Sequence, residues 1–170
     1  MAANLFTLFV FYEVLTLSTY PLVAHKGDAA AKRGARIYLL TLLGTSIGLF
    51  LMAIMWTWVL AGQNLDFVPG GLLADKNIQP AVASALLILF AFGIGKAALM
   101  PFHFWLPNAM VAPTPVSALL HAVAVVKAGV FTVMKVSIYI FGEDMLSTVP
   151  GREFVLYVAC FTIIVASLIA

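Results

Sequence analysis

Charged side chains are scarce in this sequence. Only 9% of its 170 residues are charged, whereas 64% are hydrophobic, and the mean hydropathy is +1.09. A soluble domain cannot cover its surface with so little charge. The apolar runs are long enough to cross a bilayer, which takes about 20 helical residues. The composition therefore argues against a soluble protein and predicts an all-α, polytopic membrane protein.

Cysteine and cofactor motifs are nearly absent as well. Cys160 is the single cysteine, so it cannot form an internal disulfide, and its apolar neighbours predict a packing residue. No C-x-x-C, H-E-x-x-H, Walker or dinucleotide-binding motif occurs, so no nucleotide, metal or iron–sulfur cluster is bound by a recognisable motif. We expect no cofactor, no metal site and no redox centre in this chain. The net charge of +2 gives no indication of nucleic acid as a partner.

Five apolar helices are predicted within a single membrane domain covering residues 1–170. Their expected ranges are 2–24, 37–61, 80–100, 116–141 and 154–170, and Pro80 suits a first helical turn. The last run, from Phe154 to Ala170, reaches only about 25 Å at the helical rise, short of a roughly 30 Å bilayer core. We therefore expect the sequence to be a fragment that stops before this helix is complete.

The basic residues indicate an orientation. Lys26, Lys32, Arg33 and Arg36 lie between the first two apolar runs. Loops that remain in the cytoplasm carry such an excess of lysine and arginine. We expect segment 25–36 to be a cytoplasmic loop of a protein in the inner membrane of a bacterium.

The segment from 101 to 115 is unusually apolar for a loop. It contains no full charge apart from a possible charge on His103, and backbone of this kind is tolerated at membrane depth only when protein or a wet cavity surrounds it. One interpretation is an interfacial turn with Trp105 as a headgroup anchor. The other is a broken transmembrane helix of the kind that transporters use at ion sites. Four prolines interrupt the segment: Pro101, Pro107, Pro113 and Pro115.

Two ionisable residues lie too deep in apolar helices to reach a membrane surface. Glu13 is near the middle of the first helix, where burying it costs at least ~2.5–3.5 kcal/mol, so it requires a partner, a wet cavity or a proton. Lys127 has about ten helical residues on one side and fourteen on the other, too many for its side chain to snorkel out. A proton-carrying role is the functional interpretation of both, and a hydrogen-bonded structural role is the alternative.

Three further ionisable residues are more ambiguous by position alone. Lys96 precedes Pro101 closely and follows Gly93 and Gly95, which let backbone or water approach; it is a candidate ion-relay residue at a helix break. His121 suits a proton shuttle when other titratable groups are near, although a lone membrane histidine is usually a packing residue. Lys135 lies near a helix end and is expected to snorkel.

The residues around these charges resemble those of a known family. Residues 4–23, which surround Glu13, and residues 92–131, which contain Lys96 and His121, resemble the fifth, seventh and eighth helices of the antiporter-like membrane subunits. That family includes the proton-pumping subunits of respiratory complex I and the Mrp-type cation/proton antiporters. The resemblance implies a fragment comparable to helices five to nine, in the first of the family's two inverted repeats.

The resemblance also implies roles for individual residues. Glu13 matches the glutamate that pairs electrostatically with a lysine, Lys96 matches that lysine in a discontinuous helix, and His121 matches the histidine leading to the central hydrophilic axis. Lys127 matches a lysine of Mrp-like members. Asn108 departs from the family pattern, because many relatives have an acidic residue there.

The implied function is translocation of protons, with Na⁺ as a further ion, through a Glu13–Lys96–His121–Lys127 relay. Expected partners are the lipid bilayer and the other membrane subunits of a multisubunit antiporter or a complex I-like NADH:quinone oxidoreductase. Two alternatives remain open at this stage. One is a structural subunit whose charges are scaffolding. The other is a haem-anchoring subunit, which requires two facing histidines, although only His121 is clearly within the membrane.

Overall fold

The chain folds into helices joined by short irregular segments, as described by a computed structural model for residues 2–169. Within those residues no β-strand forms, and Asn4 and Asp66 make an isolated antiparallel bridge. The predicted all-α class is confirmed. The helices are α1 Leu5–Val23, α2 Ala29–Leu60, α3 Pro80–Gly93, α4 Trp105–Ala109, α5 Thr114–Phe141, α6 Glu143–Thr148 and α7 Gly151–Ile169.

Four of these helices are long and apolar enough to cross a membrane, namely α1, α2, α5 and α7, whereas α3 is a shorter apolar helix. Many large apolar side chains on their surfaces are exposed, including Phe11 (65%), Val59 (67%) and Ile163 (66%). Side chains of this type are stable against lipid or other membrane helices and unfavourable against water. The chain is an integral membrane protein.

Helix α2 begins earlier than the sequence suggests. It starts at Ala29, whereas the expected start was residue 37, because the Asp28 side chain caps it by accepting a hydrogen bond from the Ala31 backbone N–H at 2.7 Å and alanine favours helix. Lys32, Arg33 and Arg36 therefore belong to a helix. The predicted loop over 25–36 is wrong for these residues. Their charges end the apolar part of the helix, but the helix itself continues through them.

Helix α3 stops at Gly93, seven residues before the predicted end at 100. The backbone then turns at Ile94, forms a single 3₁₀ turn over Gly95–Ala97, and enters the left-handed region at Ala98 (φ 56°). Pro80 occupies the first turn of α3, as expected. Helices α5 and α7 begin slightly before the expected residues 116 and 154, and the expected end at residue 170 lies outside the described residues.

Two apolar clusters form the interior. The larger joins α1, α2, α3 and the end of α5, and includes Tyr12, Phe50, Phe90 and Ile94. The smaller joins α1, α2, α4 and the start of α5, and is built around Tyr38 and Trp105, whose rings pack edge to face at 5.5 Å. Ala97 packs against the larger cluster and Ala98 against the smaller. The break after α3 therefore lies where the two clusters meet.

The segment between α2 and α3 closes one end of the helices. The Leu5 N–H donates to the Leu65 carbonyl at 2.9 Å, and the Leu72 N–H donates to the Tyr139 carbonyl at 2.9 Å. The Lys135 ammonium lies 4.0 Å from the centre of the Phe67 ring. Lys135 thus reaches toward the end of its helix and contacts the loop there.

One packing expectation, that for Cys160, is wrong within the described chain, and a glycine pair on α2 also lacks a neighbour there. Cys160 lies exposed on α7, because that helix presents most of its surface outward. Gly44 and Gly48, which form a G-x-x-x-G spacing on α2, would meet no atom within 4 Å if a Cβ were added. That face of α2 is not used for packing between the helices over residues 2–169.

Candidate functional site: a buried lysine at a helix break

Lys96 is the most unusual residue of the interior. It lies on the 3₁₀ turn between α3 and the proline-rich segment, and its side chain is 0% exposed. Complete burial of a lysine is rare unless its charge has a partner. Lys96 therefore does not snorkel to a membrane surface, because its ammonium group is directed into the protein.

Two glycines let helix α2 approach the break closely. A Cβ at Gly93 would lie 2.5 Å from the Phe50 backbone nitrogen, and one at Gly95 would overlap the Thr45 hydroxyl. Any larger residue would push α2 away. The glycines therefore set the position of Lys96 relative to α2 and α1.

Trp105 stabilises the break from the other side. Its side chain is 0% exposed, and its indole N–H donates a 3.0 Å hydrogen bond to the Gly95 carbonyl. This carbonyl also accepts a hydrogen bond from the Ala98 backbone N–H at 3.0 Å, so the indole adds a second bond at the break. The interpretation of Trp105 as a headgroup anchor is wrong, and the 101–115 segment fits the broken-helix interpretation.

Replacing Trp105 with phenylalanine should loosen the break. The aromatic contact with Tyr38 would remain, and the Gly95 carbonyl would keep the Ala98 N–H as a donor, so loss of the indole hydrogen bond should cost about 0.5–1.5 kcal/mol of folding free energy. Thermal unfolding of the purified protein in detergent should show a lower midpoint for Trp105→Phe. Trp58→Phe is the matched control, since Trp58 is 43% exposed; equal midpoints for the two variants would contradict the role of this hydrogen bond.

Tyr12 makes three contacts with Lys96. The Lys96 ammonium donates a hydrogen bond to the backbone carbonyl of Tyr12 and lies 3.3 Å from the centre of its ring. The Lys96 backbone N–H donates to the Tyr12 hydroxyl at 3.0 Å. Tyr12 itself is 3% exposed. No sequence pattern points to Tyr12, although it is adjacent to Glu13, whose charge is conspicuous in an apolar helix.

Glu13 lies next to this arrangement and is half-buried. Its carboxyl group is near Ser46 of α2 and within electrostatic range of Lys96. Neither carboxylate oxygen has a hydrogen-bond partner among residues 2–169. The structure therefore places Glu13 within electrostatic range of Lys96 without a hydrogen bond between them, while the ammonium of Lys96 is bonded to Tyr12.

Helix α5 touches the break through Gly129. A Cβ at this position would lie 2.5 Å from both the Ala97 nitrogen and the Lys96 carbonyl carbon. Lys127 is two residues earlier, about 200° around the helix, and it is exposed. The structure thus places Lys127 on the side of α5 that faces away from Lys96, with no direct contact between the two lysines.

His121 lies in a wider, π-helical turn of α5. The Ala124 N–H bonds to the Leu119 carbonyl at 2.9 Å, five residues back instead of four, which is the mark of such a turn. The His121 side chain is half-buried, and its Nε2 atom is buried without a hydrogen-bond partner in the described part of the chain. A ring nitrogen in this condition is available to exchange a proton with a mobile donor or acceptor.

Asn108, the departure from the family pattern, has a local role. Its side-chain amide donates to the Phe104 carbonyl at 2.7 Å. Its backbone oxygen would be only 2.5 Å from a Cβ added at Gly34. Asn108 therefore contributes to the packing of α4 on α2. As for metals, residues 2–169 contain no group of three or more His, Cys, Asp or Glu side chains that could hold an ion.

Known proteins are similar to this chain over most of its length. The sequence profile of the family described as NADH:quinone oxidoreductase/Mrp antiporter, TM, matches residues 2–170. A protein of Rhizobium meliloti (strain 1021), described as a probable K(+)/H(+) antiporter subunit, is 37% identical over 137 residues, covering 79% of this chain and 14% of the relative.

Two relatives of a second kind are also similar. The chloroplastic NAD(P)H-quinone oxidoreductase subunit 5 of Adenocaulon himalaicum is 31% identical, covering 79% of this chain and 19% of the relative. The organellar chromatophore subunit 5 of Paulinella chromatophora is 31% identical, covering 93% of this chain and 24% of the relative. The chain therefore spans less than a quarter of the length of each of these curated relatives.

Proposed function

Because the chain belongs to the NADH:quinone oxidoreductase/Mrp antiporter family of transmembrane proteins, we propose that it forms part of a proton path in a multisubunit membrane assembly. The observation that carries the proposal is the fully buried Lys96 at the break after α3. A buried lysine next to a carboxyl group is suited to bind and release a proton as its surroundings change.

Four residues carry the proposed relay. Glu13 is the electrostatic partner of Lys96, whose ammonium carries the proton, and His121 and Lys127 receive it in turn. The electrostatic interaction between Glu13 and Lys96 and the unpartnered Nε2 of His121 in the described chain support the first part of this path. Since Lys127 faces outward, we propose that water or further membrane-embedded protein links His121 to it.

The proposed driving step is electrostatic. An ionised Glu13 at about 4 Å would stabilise the charged form of Lys96 by roughly 4 kcal/mol at an effective dielectric of about 20. When the two separate, burial without compensation favours release of the proton. Because one tenfold change in proton affinity corresponds to about 1.4 kcal/mol, the change is large enough to move a proton at constant pH.

We place the chain in a cation/proton antiporter assembly in preference to a complex I-like NADH:quinone oxidoreductase. The relative described as a K(+)/H(+) antiporter subunit is 37% identical, against 31% for the two quinone oxidoreductase subunits, and the lysine at position 127 points in the same direction. The exchanged cation is then Na⁺ or K⁺. The other membrane subunits of the assembly are the proposed partners.

The basic first turns of α2 set the proposed orientation. Lys32 and Arg33 lie in this helical extension and are proposed to face the cytoplasm of a bacterial inner membrane, following the distribution of positive charge in membrane proteins.

Substituting Glu13 by glutamine tests the electrostatic step. In the full-length protein within its assembly, Glu13→Gln should lower proton-coupled cation flux about 10- to 100-fold, because the charge that loads Lys96 is lost while side-chain size is kept. Flux would be measured in proteoliposomes with a pH-sensitive dye.

Glu143→Gln is the matched control, since Glu143 lies exposed in the first turn of α6; it should retain flux near that of the unmodified protein. A Glu13→Gln variant that assembles and transports as well as Glu143→Gln would refute the proposed relay and support a purely structural role for the buried charges.

A further inference from the structure

Lys96 has a second partner besides Glu13. We infer that Tyr12 is a positioning residue that holds the Lys96 ammonium when it is separated from Glu13, so that the lysine alternates between two neighbouring residues of α1. The inference rests on the proposed role of Lys96 as a proton carrier.

Tyr12 contacts both the charged end and the backbone of Lys96, through different atoms. The ring, whose centre is 3.3 Å from the ammonium, and the backbone carbonyl, which accepts a hydrogen bond from it, both favour the charged form. The hydroxyl accepts from the Lys96 backbone N–H at 3.0 Å, and this bond fixes the 3₁₀ turn. One residue therefore fixes both the turn and the end of the side chain.

The Tyr12 carbonyl is an unusual acceptor for a lysine. It lies within a helix, and the Thr16 hydroxyl also donates to it at 3.2 Å. A carbonyl oxygen has two lone pairs. The helix N–H and the Thr16 hydroxyl already use them, so the Lys96 ammonium, as a third donor, is bound less firmly than it would be by an otherwise unpaired oxygen. Such an acceptor can bind the ammonium and release it again.

Phe50 holds the Tyr12 ring in place. The two rings pack edge to face at 5.4 Å, and the Phe50 backbone lies against Gly93, the last residue of α3. The ring beside the ammonium is thus connected to the helix end whose geometry places Lys96. A shift of α3 against α2 would move both partners of the cation–π contact.

The charge state of Glu13 decides which partner Lys96 takes. An ion pair inside a protein is stronger than a cation–π contact, so an ionised Glu13 within reach would draw the ammonium away from Tyr12. In the structure the Glu13 oxygens are unbonded in the described chain and the ammonium is on Tyr12. This is the arrangement expected when the Glu13–Lys96 pair is open.

Three substitutions in the full-length protein within its assembly test the inference, each measured as cation-coupled proton flux over a range of pH in proteoliposomes. Tyr12→Leu removes the ring and the hydroxyl. Tyr12→Phe keeps the ring and removes only the hydroxyl. Phe9→Leu is the matched control, because Phe9 packs edge to face on the same Phe50 ring at 5.6 Å and makes no contact with Lys96 among the described hydrogen bonds and cation–π pairs.

Tyr12→Leu should lower flux about two- to thirtyfold, the range expected for loss of one buried cation–π contact. It should also move the acidic limb of the flux profile to lower pH by about half a unit to one and a half units. The sign follows because the charged lysine loses stabilisation and releases its proton at lower pH, while the charge of Glu13 is present in every variant. Tyr12→Phe should lower the amount of assembled protein without moving that limb, and Phe9→Leu should leave the limb unchanged.

An acidic limb that stays in place in Tyr12→Leu, or moves equally in Phe9→Leu, would overturn the inference, since loss of packing alone would then account for the effect. Lys96→Ala separates this failure from failure of the proposed function. If Lys96→Ala abolishes flux while Tyr12→Leu behaves as Phe9→Leu, the positioning role is wrong and the relay stands. If Lys96→Ala keeps full flux, the relay itself is wrong.

Discussion

Replacing Lys96 with alanine should lower proton-coupled flux at least about 100-fold in the full-length protein within its assembly. The ammonium is the one fully buried cation in the described chain, and a transferable proton at that position cannot be supplied by a methyl group. A loss of about 100-fold corresponds to roughly 2.8 kcal/mol. This is less than the roughly 4 kcal/mol by which an ionised Glu13 would stabilise the charged lysine, so a loss of this size is reasonable. The measurement is dye-monitored flux in proteoliposomes, normalised to the amount of assembled complex.

Arginine at the same position distinguishes a proton carrier from a structural charge. Lys96→Arg keeps the positive charge, but a guanidinium group does not release its proton in proteins. The relay predicts that Lys96→Arg is as inactive as Lys96→Ala, whereas a scaffold of paired charges predicts retained function. Lys135→Ala is the control for removing a lysine from α5, and we expect it to keep flux within about threefold because its ammonium contacts aromatic rings near a loop.

Adding a single methyl group at Gly129 should have the second large effect. The new Cβ would lie 2.5 Å from the Ala97 nitrogen and the Lys96 carbonyl carbon, which are backbone atoms that cannot rotate away. Either α5 or the break must shift, and overpacking of this kind costs about 1–3 kcal/mol. Gly129→Ala should therefore reduce both assembled protein, measured by native gel electrophoresis, and flux per assembled complex, because Lys96 is displaced from Tyr12 and Glu13.

Gly44→Ala provides the matched comparison, because it makes the same change in a helix where the added Cβ meets nothing within 4 Å. Alanine is favoured over glycine in helices by about 1 kcal/mol, so this variant should be neutral or more stable. If the two variants assembled and transported equally, the close contact between α5 and the break would have no functional importance.

Much of the fold followed from the sequence because hydrophobic runs of membrane length are a strong signal. The all-α class and the position of Glu13 within a long apolar helix were accessible in this way, whereas the break was expected at Pro101 and lies just after Gly93. The two errors of helix length have a common origin. An apolar run shows which residues lie inside the membrane and not where a helix begins or ends. Helix α2 extends beyond its apolar run to Ala29, where Asp28 caps it. After Gly93 the residues remain apolar although α3 has ended.

Only part of the site could be predicted from the sequence. Lys96 and Glu13 were identified because a charge is conspicuous in an apolar context. Tyr12 and Trp105 were not, because aromatic residues are ordinary in membrane helices and their roles depend on a hydroxyl and an indole N–H that meet backbone atoms 84 and 10 residues away in the chain. Such contacts arise from tertiary packing and leave no local pattern.

The length of α2 has a consequence for the surrounding bilayer. Its 32 residues extend about 48 Å, whereas the hydrocarbon core is about 30 Å thick. The apolar portion after Arg36 is still about 36 Å long, so it exceeds the core and is accommodated by tilt, by bending or by local thickening of the bilayer. Because Phe50 and Thr45 of α2 lie against Gly93 and Gly95, a change in the tilt of α2 would act on the contacts that position Lys96. Comparing flux in vesicles of short- and long-chain lipids would test whether the fit of α2 to the bilayer affects the site.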